Sequence, residues 1–193
     1  MIATTADFLN IDRNLAAIDR QWPALLALCD DNAVFAANAP TVSGWGVAQQ
    51  AHHVALELAL VAGEVENMLA HPEQGAGLTP SHPLAMRVLE QGHFPRGSGQ
   101  APQDVVPPAA LARGETRALI ESTKIKWEKV GPNRGAFARS TATHPHPILG
   151  PFTFMHWFRF IPIHTAHHLK IVHDILTANA LPVPYGTDVE SVN

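Results

Sequence analysis

The stretch Thr153 to Leu176, TFMHWFRFIPIHTAHHLKIVHDIL, decides how this chain folds. It reads as one long helix and carries five of the chain's twelve histidines. An apolar stripe runs through Trp157, Ile161, His164, His168, Ile171 and Ile175 in steps of three and four. Such steps keep residues on one face of a helix, so His164 and His168 lie about one turn apart where a core-facing helix carries Leu or Ile. A polar ring in a core stripe needs a partner, because an unpaired buried polar group costs about 1–3 kcal/mol. A metal ion is one such partner, and a hydrogen-bonded core histidine is the plain alternative. Pro162 lies inside the pattern and predicts a bend just before the pair.

The remainder of the chain supplies three more amphipathic helices. Phe8, Ile11, Leu15, Ile18, Trp22, Leu25 and Cys29 alternate by three and four, which predicts a first helix over 5–29, kinked or broken near Pro23. Residues 30–40 read as loop. Ser43 is a good N-cap, and Val42 with Val47 can staple across it, so a second helix opens at 43 and runs through Met68 to about Ala70. A third is expected to start at Pro107-Pro108 and extend to Val130, ended by Gly131-Pro132. The last opens at Thr153 as N-cap, with Phe152 and Trp157 placed for a staple. Residues 71–108 are irregular, with a short helix over 84–91, and form a crossover between helices two and three. Residues 133–151 read as loop, and no alternating run predicts a sheet. The expected fold is therefore all-α, a four-helix bundle with one long crossover, in a single domain over 1–193.

Composition narrows the function. With 46% apolar and 16% charged residues the chain can bury a sizeable core, and a net charge of −4 without a basic run argues against a nucleic-acid partner. The single cysteine, Cys29, excludes an internal disulfide framework and a cysteine zinc cluster, and reads as a small buried hydrophobe. No signal peptide and no apolar run of membrane-spanning length is visible, so no membrane partner is expected and a cytoplasmic location is the default. There is no HExxH, no paired ExxH set for a di-iron site, no phosphate-binding glycine loop and no motif around a Ser or Cys nucleophile.

Bundles place metal sites between facing helices, so the missing ligand should come from another helix. Helix two carries His52 and His53, either of which can serve. Three neutral imidazoles with an open position suit Zn²⁺ and also Ni²⁺ or Fe²⁺, with Mn²⁺ a further option. Trp45-x7-His53, followed far downstream by His164-Thr-Ala-His167-His168, resembles the DinB/YfiT-like superfamily. So do HisProIleLeuGlyProPheThrPheMetHisTrp at 146–157 and PheProArgGlySerGlyGlnAlaPro at 94–102. The resemblance implies a four-helix bundle with a metal site made by His53, His164 and His168, with His52 the alternative to His53. It implies a low-molecular-weight-thiol transferase or a related metal-dependent hydrolase. Two features depart from the family pattern: Pro162 just before the pair, and Gln49 and Gln50 where an acidic residue is common.

Other residues carry weaker signals. Glu57, four after His53, can accept an imidazole N–H or act as a base, although a solvated helix face is the plainer reading. His167 lies off the stripe and reads as a residue that orients the ligands or faces an interface. His156 and His173 read as solvated or structural, and Trp45 as packing. His144 and His146, alternating with prolines, read as shaping a loop. The expected partner is a small molecule, a thiol being one candidate. The competing reading is a non-catalytic, metal-stabilised helical homodimer, joined through Phe160 and Ile163, acting in association or in a stress response.

Overall fold

A computed structural model describes residues 8–75, 83–97 and 99–192. The helices are α1 (Ile11–Ala27), α2 (Asn32–Ala36), α3 (Val47–Ala70), α4 (Pro83–Gln91), α5 (Arg113–Glu128), α6 (Arg134–Arg139) and α7 (Phe154–Ala178). A two-stranded antiparallel hairpin, β1 (Thr143–His146) and β2 (Gly150–Thr153), runs directly into α7. The four long helices pack in a ring, α1 on α7, α7 on α3, α3 on α5 and α5 on α1. The chain is thus mainly helical, as the apolar spacing predicts. Among the described residues no helix is long and apolar enough to cross a membrane.

Local chemistry sets where each helix begins. Asn10 caps α1, its Oδ1 accepting the Arg13 N–H at 2.9 Å, so the described helix starts later than the apolar pattern does. Part of the expected start, residues 5–7, lies outside the described residues. α1 then runs unbroken through Pro23. The stretch expected as loop after α1 contains α2, whose N-terminal N–H groups are accepted by the Asp31 carboxylate. α3 starts at Val47 rather than at Ser43. Gly46 is its N-cap, with Gln49 Oε1 reaching back to the Gly46 N–H at 3.2 Å. Ser43 instead holds the turn before the helix, its Oγ accepting from the Trp45 N–H at 3.1 Å. α5 starts at Arg113, not at Pro107-Pro108, because a tertiary tie replaces a local cap there. The Arg113 guanidinium donates to the Cys29 and Asp30 carbonyls at 3.1 and 2.9 Å, pinning the start of α5 to the end of α1.

The hairpin is absent from the sequence reading, which has residues 133–151 as loop. Its turn is closed by a side chain. His146 Nδ1 accepts the backbone N–H groups of Ile148 and Leu149, both at 3.1 Å, and Gly150 sits at φ 86°, a conformation that favours glycine. Thr153 ends β2 and caps α7, with its N–H donating to His156 Nδ1 at 3.3 Å, so His156 closes the helix start. The expected staple is present, the rings of Phe152 and Trp157 meeting edge to face at 5.1 Å.

α7 is the central element of the core. Phe158, fully buried, packs between Trp127 at 5.9 Å and Phe137 at 5.0 Å. The indole N–H of Trp127 donates to the Leu58 carbonyl at 2.9 Å and ties α5 to α3. α7 continues unbroken through Pro162, whose carbonyl accepts the Gln21 side-chain amide at 2.9 Å. Phe160 and Ile163 are buried in the chain's own core, 2% and 1% exposed, so they offer no surface for a dimer seam.

Candidate metal centre

α3 and α7 bring His53, His164 and His168 together. The Nε2 atoms of His53 and His164 are 3.4 Å apart and those of His164 and His168 3.1 Å, and all three ligand atoms lie within 4.8 Å of one another. His53 is 2% exposed and His168 8%. His52 is not part of this group. One residue earlier on α3, it turns toward α5, where its Nδ1 lies 3.0 Å from Thr116 Oγ1.

The surrounding hydrogen bonds fix which nitrogens are bare. His53 Nδ1 lies 2.8 Å from the Val105 carbonyl, which can only accept, so Nδ1 carries the proton and Nε2 presents its lone pair. The His168 tautomer is set by Gln50. The Gln50 amide NH₂ donates to Ser43 Oγ at 3.0 Å and the Trp45 carbonyl at 3.5 Å, so its Oε1 faces His168 Nδ1 and requires an N–H there. Gln50 thus fixes the orientation of the His168 ring. Two bare lone pairs are therefore held toward His164 Nε2. A tetrahedral ion with metal–nitrogen bonds of about 2.0–2.1 Å sets its ligand nitrogens roughly 3.3–3.4 Å apart, close to the spacing of these rings. The residues fit a divalent ion with imidazole ligands.

Glu57 belongs to the same cluster and is not on a solvated face. Its Oε2 is 2.8 Å from His164 Nε2 and 3.7 Å from His53 Nε2, and it is 9% exposed. Burial pushes its carboxyl up to about 7, against the opposing pull of His53 and His146. Burial also holds His164 and His168 well below the usual imidazole range, helped by the neighbouring rings, so they are neutral ligands-in-waiting at physiological pH. His167 lies beside the group, its ring 5.1 Å from that of His168 and 5.7 Å from Phe94, and burial takes it down to about 4.

The cluster forms the floor of a cavity of about 620 Å³ whose walls include Trp45, Phe94, Trp157 and Phe160. His146 lines the same cavity, stacked on Trp157 at 5.5 Å. Because its Nδ1 accepts two backbone N–H groups, its proton sits on Nε2, and burial lowers its pKa to about 4. The sequence reading has this residue only as shaping a loop. It does so, but it also lines the cavity above the three histidines, and no local pattern signals that. His144 and His173 pair with Glu64 and Glu190, at 2.9 and 2.7 Å, away from the group.

Comparison with known protein families, with curated proteins and with solved structures finds no match for this chain.

Proposed function

We propose that the chain is a DinB/YfiT-like metal-dependent enzyme, a hydrolase or a low-molecular-weight-thiol transferase, whose divalent ion is held by His53, His164 and His168. The observation that carries the reading is the convergence of three buried Nε2 atoms, two of them kept bare by the Val105 carbonyl and the Gln50 amide. Both lone pairs face His164 Nε2, at 3.4 and 3.1 Å, and a divalent ion at that point would replace a single shared proton with three bonds. When bound, the ion supplies Lewis acidity, acidifying a water or thiol donor at its open position. Zn²⁺ or Ni²⁺ suits the donor set best, with Fe²⁺ and Mn²⁺ less so. Glu57, whose Oε2 lies 2.8 Å from His164 Nε2, is placed to take the proton released there. The aromatic walls exclude water around the reacting donor, and the His146 Nε2–H offers a fixed hydrogen bond to the other end of the reacting group.

Metal analysis tests the reading. Protein purified without chelator should carry close to one divalent ion per chain, retained in His52→Ala and lost in His53→Ala and His164→Ala. A metal-free wild type, or full occupancy in His164→Ala, would sink the site.

One observation favours a second reading. Glu57 Oε2, at 2.8 Å from His164 Nε2, is close enough to close a fourth position and make the site structural. The chain would then act by association, as a homodimer. In that case the ion exchanges no ligand with added thiol, chelation lowers the melting temperature, and the mass in solution is that of two chains.

A further inference from the structure

The charge pattern of the cavity bears on what can enter it. Among its described lining residues there is no Lys or Arg, and the only charged side chains are two acids, Glu57 at the floor and Asp104 in the connection before α5. Arg96, flanked in sequence by the lining residues Pro95 and Gly97, does not line the cavity and has its charge offset by pairing with Asp174, although that charge is felt at the lining residue His167. His146 adds no positive charge, since Nδ1 accepts two backbone N–H groups and the ring holds a single proton. Three of the four large apolar residues exposed among the described residues, Leu60, Val106 and Ile148, line this cavity, at 39%, 38% and 46% exposure. They come from α3, the crossover and the hairpin turn, three distant segments that converge there. Scattered exposed apolar residues are ordinary, but a cluster of them around a concave site marks a binding surface.

We infer, on the reading that an ion sits among His53, His164 and His168, that the cavity takes an uncharged or cationic organic substrate with an extended apolar body. That substrate reaches the ion through one donor atom and lays its apolar body against Leu60, Val106 and Ile148. The ion's charge, partly offset by Glu57, attracts a donor at the floor. A second anionic group farther along the substrate meets no Lys or Arg among the described lining residues, loses hydration against aromatic walls, and faces Asp104. Phosphorylated substrates and thiols bearing several carboxylates are selected against. The volume of about 620 Å³ suits a molecule of drug-like size.

Three thiols of equal length test this: hexanethiol, aminohexanethiol and mercaptohexanoate, titrated into cobalt-substituted protein. The thiolate-to-cobalt absorption band and the quenching of Trp45 and Trp157 fluorescence report binding. Hexanethiol and aminohexanethiol should bind roughly tenfold more tightly than mercaptohexanoate, the scale of one unpaired charge near an acid. Leu60→Lys, which replaces one apolar tail contact with a cation, should improve mercaptohexanoate binding several-fold and weaken hexanethiol, so that the preference between the two thiols narrows or reverses. Mercaptohexanoate binding as tightly as hexanethiol, or indifference to Leu60→Lys, overturns the inference. If no cobalt is taken up, the metal reading fails separately. The tail ranking is then read from tryptophan quenching in the metal-free protein, where equal quenching by all three thiols overturns the inference by itself.

Discussion

Gln50→Ala should weaken metal binding without touching a ligand. In the folded protein the His168 Nδ1–H donates to Gln50 Oε1, and Gln50, 2% exposed, is itself fixed by Ser43 Oγ at 3.0 Å. Alanine leaves that N–H without an acceptor in a buried position, which costs about 1–3 kcal/mol. The ring escapes part of this cost by moving its proton to Nε2, the atom that must be bare to hold an ion. Metal binding then has to reverse the tautomer, so its affinity should fall about 10- to 100-fold. At about 1.4 kcal/mol per tenfold, that is roughly 1.4–2.8 kcal/mol, within the range expected from the lost hydrogen bond alone. Competition for zinc against a chromophoric chelator near neutral pH measures it. Gln50→Glu keeps an acceptor, now charged, and should bind at least as tightly as wild type. A Gln50→Ala protein with native helicity and a zinc affinity within about twofold of wild type would refute the reasoning, since effects on that scale are expected for such partners.

Other perturbations probe the remaining parts. Glu57→Gln should retain the ion if the carboxylate serves as base, with turnover down roughly 10²- to 10⁴-fold once a substrate is in hand, whereas loss of the ion would make Glu57 a ligand. Lowering pH should destabilise the metal-free protein from about 6.5 downward. His146 and His167, held near 4 by burial, stay neutral while their unfolded counterparts take up protons, and His164 and His168 are shifted in the same direction. Glu57, raised to about 7, opposes them by binding a proton in the folded state between about 7 and its unfolded value, but it is one carboxyl against six histidines, since burial lowers His52 and His156 as well. The net effect is a loss of stability as pH falls below about 6.5, read from urea melts, and a flat profile would contradict the burial of these rings. Phe158→Ala, which empties a fully buried site between Trp127 and Phe137, should cost about 3–5 kcal/mol by the same melts.

Much of the frame was legible because it rests on spacing. The three/four alternation that places His164 and His168 on the core stripe also places Val54, Leu58 and Val61 of α3, so the long helices and the meeting of α3 with α7 follow from local pattern. Starts of helices were less legible. Arg113 opens α5 through bonds to carbonyls more than eighty residues away, and nothing near Pro107-Pro108 announces it. The hairpin was hidden for a different reason. Its strands have four residues each and carry Pro145 and Pro151, which argue against a central strand but are tolerated in a two-stranded ribbon, where every strand is an edge. The choice between His52 and His53 turned on which side of α3 faces α7, and adjacent residues differ by a rotation that an apolar pattern resolves only coarsely. Glu57 and His146 needed the assembled cavity, since what makes each noteworthy is a residue far away in sequence.

The candidate ligands come from two places in the chain, one from α3 and two from α7, and His53 and His164 are 111 residues apart. The two on α7 are a turn apart on one helix and can grip an ion before any tertiary structure exists, favouring formation of that segment. His53 can join only after a long loop has closed, a step that is slow for contacts so distant in sequence. The ion would then act as an assembly latch, present on the last helix first and fastened when the second helix docks. Its removal from the finished protein should accelerate unfolding more than it slows folding.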